Sequence, residues 1–113
     1  MLIQEQYLEQ AGKIHRECPV ADAHFDLAAE VYERRLIGER GVVERRYLPR
    51  FEEAGLNIVV SSIFIHNRDL PELGLRKALG QITALKEDVE PVSDCIRVTK
   101  SRAELEENLA AGR

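Results

Sequence analysis

Two cysteines, Cys18 and Cys95, are all that this 113-residue chain holds, and they stand far apart. They allow one bridge at most, which excludes a disulfide framework and makes a reducing, cytoplasmic setting the expectation. No apolar run approaches the roughly 20 residues of a membrane helix, so no membrane span is expected. Residues 1–10 are polar and acidic, and a secretory leader is not expected from them. Basic clusters are lacking as well: 16 Lys and Arg stand against 20 Asp and Glu, a net charge of −4. Nucleic acid is therefore not the expected partner. Gly38-Glu39-Arg40-Gly41 has neither the spacing nor the preceding strand of a phosphate-binding loop. There is no internal repeat, low-complexity tract or flexible linker. What is present is ordinary globular composition, with 44% hydrophobic and 32% charged residues, in a length that suits one domain or part of a larger one.

The apolar pattern predicts alternating helices and strands. Residues 2–16 read as a helix, with Ile3, Tyr7, Ala11 and Ile14 on one face and Pro19 as its stop. Residues 20–25 read as a short strand after that proline. A helix follows from Leu27 and breaks at Gly38 and Gly41, and residues 42–54 are helical again, with Pro49 near a start and Gly55 past the end. Residues 56–65 form the clearest strand, continuously apolar and rich in β-branched side chains, as in a parallel strand covered on both faces. Asp69 is a possible cap for a helix over residues 71–90. Cys95 to Val98 suggest a short strand, and Ser101-Arg102-Ala103-Glu104 matches a capping box opening a helix over residues 102–111. This order implies an α/β fold with parallel pairing. Five helices on two strong strands are an unbalanced layer, so the chain reads as the opening of a larger α/β fold.

His24-Phe25-Asp26 is the most informative triplet. Residues two apart in extended backbone project the same way, so an imidazole and a carboxylate leave the end of the first strand together. That pair suits a divalent metal such as zinc, and parallel α/β folds gather their sites at this end. Asp26 also suits the N-cap of the next helix. Asp22, two residues back, is a candidate to orient His24. His66 follows the second strand and is a candidate pocket residue, or part of a solvated loop. His15 reads as a surface group at a helix end. Ser61 and Ser62 read as small residues packed against a helix.

Pro19-Val20-Ala21-Asp22-Ala23-His24-Phe25-Asp26-Leu27 resembles the opening strand of the membrane (renal) dipeptidase family, which typically reads D-G-H-N-D-L. The preceding helix fits, as do Leu48-Pro49-Arg50-Phe51, Glu53-Ala54-Gly55 and the apolar strand after them. Residues 75–109 are similar to the family's next segment. Ala23 stands where the family has glycine and Phe25 where it has asparagine, which points to a divergent branch.

The resemblance implies the opening βα units of a TIM (β/α)8 barrel, a metallohydrolase with two zinc ions that cleaves dipeptides. His24 and Asp26 would ligate one zinc. The family's bridging glutamate and further histidines come from later strands, and nothing after Asp26 matches them. A barrel takes about 250 residues, so the expectation is an N-terminal fragment, inactive alone, whose full-length form takes a dipeptide substrate. The competing expectation is a non-catalytic chain that acts as an assembly segment, as a homo-oligomer or with a missing C-terminal portion.

Overall fold

A computed structural model describes residues 4–113. The expected start of the first helix, Leu2 and Ile3, lies outside the described residues. Helix α1 covers Glu5–Glu17 and ends before Pro19 as expected. It buries none of its described residues, and its apolar stripe at Tyr7 and Ile14 faces outward. Strand β1, Ala21–Phe25, leads into α2, Leu27–Leu36. The segment expected as one helix over residues 42–54 opens instead as a π-helical turn, Val43–Tyr47, and becomes regular in α3, Leu48–Ala54. Gly55 ends α3 with a φ of 67°, the left-handed geometry that favours glycine.

Strand β2 is shorter than the apolar run predicted. It covers Ile58–Ser61, not residues 56–65. The backbone of Phe64 leaves the sheet because the buried Gln81 side chain takes both its N–H, at 3.3 Å, and its carbonyl, at 2.6 Å. The two strands pair in parallel, Ala21 opposite Ile58 and Phe25 opposite Ser61, with an irregularity between Asp22 and Phe25. Among the described residues the expected cover on both faces is not found either: Val60 is 52% exposed.

Asn67–Asp69 form a single tight turn. The expected helix 71–90 is α4, Gly74–Val89, followed by a tight turn at Glu90–Val92. Asp69 does not cap it; its carboxylate pairs with Lys77 at 2.6 Å. Cys95 to Val98 are not a strand. Cys95 and Ile96 both donate backbone N–H groups to the Val92 carbonyl, which curls this stretch into turns. Helix α5 covers Arg102–Ala110, and the predicted capping box forms: the Ser101 hydroxyl accepts the Glu104 N–H at 3.2 Å. The Glu104 carboxylate returns to the N–H of Lys100, one residue before the cap.

The core lies where the sheet, α2, the π-helical turn and α4 meet. Leu27, Val31, Val42, Val43, Tyr47, Phe51, Ala84 and Val89 are buried there. Phe25 sets its ring edge-on against Tyr47 and Phe51, with centroids 5.8 and 5.7 Å apart. These contacts exploit the opposed charge of ring edge and face. The chain is thus a mixed α/β unit, mostly helical, around a two-stranded parallel sheet.

Candidate metal centre

Phe25 anchors the site. Its ring enters the core, so its neighbours His24 and Asp26 must point the other way. Both are exposed, at 76% and 59% of their side-chain surface, and His24 Nε2 lies 3.5 Å from Asp26 Oδ1. Two atoms ligating one tetrahedral zinc at about 2.1 Å are separated by about 3.4 Å. The donor pair therefore has the span that one ion requires.

Two local bonds hold this pair in place. Asp26 stands at the N-cap position of α2 but makes no capping bond with its side chain. Ser61, across the sheet on β2, accepts the Ala28 N–H at 3.2 Å instead. The Asp26 carboxylate is thereby released from the capping role that its position suggests. Asp22 acts differently from the expectation. Its Oδ1 accepts the backbone N–H of His24 at 2.9 Å, so it fixes the chain under the histidine rather than its ring. Such a turn from a side chain to the backbone two residues on coincides with the pairing irregularity between Asp22 and Phe25.

His66 lies beyond β2, exposed, with its ring edge-on to Phe64 at a centroid distance of 5.1 Å. It does not join His24 and Asp26: among the described residues no three His, Cys, Asp or Glu side chains gather as a metal cage. The donor pair supplies two ligands of the three or more that a zinc site takes.

Other groups frame the site without being legible as functional in sequence. Asn57 Oδ1 accepts the Val20 N–H at 2.8 Å and fixes the start of β1 against β2. Glu30, one turn into α2, accepts from the Tyr47 hydroxyl and from Arg34. The tyrosine bond, then Arg34, holds the Glu30 carboxyl below the usual range. Burial, then the Glu30 carboxylate, pushes the Tyr47 hydroxyl up to about 12. Compared with protein-family models, with curated proteins and with solved structures, the chain shows no match.

Proposed function

We propose that this chain carries the first metal-ligand motif of a zinc-dependent dipeptidase on a (β/α)8 barrel. The observation that carries the reading is the His24–Asp26 donor pair, 3.5 Å apart at the carboxyl end of a parallel strand. The resemblance of residues 19–27 to the membrane dipeptidase opening strand supports it, as does the release of Asp26 by Ser61. Zinc, when bound, supplies Lewis-acid assistance to hydrolysis of a peptide bond. The chain's own part is to present one imidazole nitrogen and one carboxylate on a backbone fixed by Asp22 and Phe25. The remaining ligands are not among its described residues, so another segment or chain supplies them.

Zinc titration of the 113-residue chain, followed by NMR, tests this reading. Weak binding is expected, with shifts centred on His24 and Asp26, and no hydrolysis of dipeptides by this chain alone. His24→Ala and Asp26→Asn each remove those shifts. Zinc-induced shifts that persist in both variants, or that centre elsewhere, overturn the assignment.

A second reading, a non-catalytic assembly segment, is favoured by the surface. The accessible area is 8463 Å². A compact monomer of this mass exposes about 6,300 Å². The surplus suits a chain whose sheet edges and open sheet face are covered by another molecule.

A further inference from the structure

The carboxyl end of α4 and the turns that follow it border a groove of about 490 Å³, with Val89 and Val98 among its lining residues. Three cations line it: Lys86, Arg97 and Lys100. Lys86 comes from α4 and the other two from the segment after it, and among the described residues none of the three pairs with a carboxylate. Arg97 is held in place by its own turn, since its Nε donates to the Ser93 carbonyl at 2.8 Å. This leaves the two terminal nitrogens of the guanidinium uncommitted. Ser93 and Thr83 also line the groove.

Two acids also line the groove. Glu87 shares Arg35 with Asp88, at 2.6 and 3.2 Å, so Glu90 and part of the Glu87 charge oppose the cations. The carbonyl end of α4 adds a partial negative charge of about half a unit. Among the lining side chains three cations stand against two acids, and the Glu104 carboxylate on the Lys100 N–H lies beside them.

We propose that this groove binds the phosphoryl group of a small anionic ligand. A guanidinium fork matches the oxygen spacing of a phosphate, and two ammonium groups complete a dianion's neutralisation. The serine and threonine add neutral donors, and the lining valines suit an attached apolar portion. The site is independent of His24 and Asp26, none of whose atoms line the groove.

The test is a titration of the 113-residue chain with inorganic phosphate at pH 7.5, followed by amide NMR, with sodium chloride at equal ionic strength as control. A saturable response in residues 83–100 with a midpoint of about 1–10 mM is expected, the strength of a few charge-assisted bonds in water. Arg97→Gln weakens it about five-fold or more, and the double change Lys86→Gln with Lys100→Gln abolishes saturation. Glu90→Gln, which removes the opposing charge, tightens it about two-fold. Thermal unfolding of each variant checks that the fold is kept. A response reproduced by chloride, or an unchanged midpoint in Arg97→Gln, overturns the proposal. Saturation by succinate but not by phosphate overturns the phosphoryl assignment.

Discussion

At Asp88, a carboxylate with 2% residue exposure carries two bonds that join distant parts of the chain. Oδ2 accepts the Val43 N–H at 2.8 Å and Oδ1 accepts from Arg35 at 3.2 Å. The first bond satisfies an otherwise orphaned donor at the start of the π-helical turn; the second ties α4 to α2. Removing one partner of a buried ion pair leaves the other uncompensated. Asp88→Ala is expected to cost about 3 kcal/mol, toward the low end because Arg35 keeps Glu87. Glu87→Gln, at the exposed partner, is expected to cost about 0.5 kcal/mol or less. Urea unfolding of the two variants beside the parent chain checks this. A comparable loss in both would show that the buried carboxylate has no special part. Spacing in the sequence offers no signal for this residue, because Asp88 reads as one more polar position on a helix.

The π-helical turn between α2 and α3 is the element most exposed to pH. It delivers the Tyr47 hydroxyl to Glu30, which Arg34 also binds, while Arg46 and Arg34 grip Glu39. Glu30 and Glu39 are both held low, the first chiefly by Tyr47 and the second chiefly by Arg46. A carboxyl lowered by folding adds stability that is present above its unfolded value and lost as pH falls through its folded one. For both groups that loss begins near the ordinary 4.5. Tyr47 moves the other way, from 10.0 to about 12. Its contribution is complete below pH 10 and disappears as pH rises through about 12. Glu30→Gln should therefore flatten the acid limb of Tm against pH, and Tyr47→Phe should flatten both limbs. Melting curves across this range, followed by circular dichroism, are the check; limbs parallel to those of the parent chain would remove these groups from the pH response. The helix over residues 42–54 was legible from Pro49, Gly55 and its apolar positions. Its π-helical opening was not, because it depends on where Asp88 meets Val43.

For the whole molecule, the Cα radius of gyration is 16.3 Å, whereas a compact chain of this length reaches about 13 Å. The surplus surface includes Val60, Ile63 and Phe64 near β2 and the α4 stripe of Leu75, Leu79 and Ile82. Sedimentation velocity is expected to show concentration-dependent association, weakened by Val60→Lys on the open sheet face. A 12.8 kDa monomer at every concentration, with cooperative unfolding, would sink the assembly reading.

The sequence by itself determined what short-range geometry controls. Residues two apart in a strand share a side, which by itself puts His24 and Asp26 together. Proline, glycine and the Ser101–Glu104 box marked helix ends, because caps and left-handed turns act within a few residues. Tertiary structure alone decided where β2 stops, since Gln81, 17 residues from Phe64, competes for its backbone. It also decided that Ser61, 33 residues from Ala28, would cap α2 and free Asp26. The same holds for the cations of the groove: solvated singly in an acidic sequence, they meet only when the turns after α4 fold Arg97 and Lys100 back toward Lys86. Such partners are chosen by packing and by the need to satisfy buried polar groups, which no local pattern encodes.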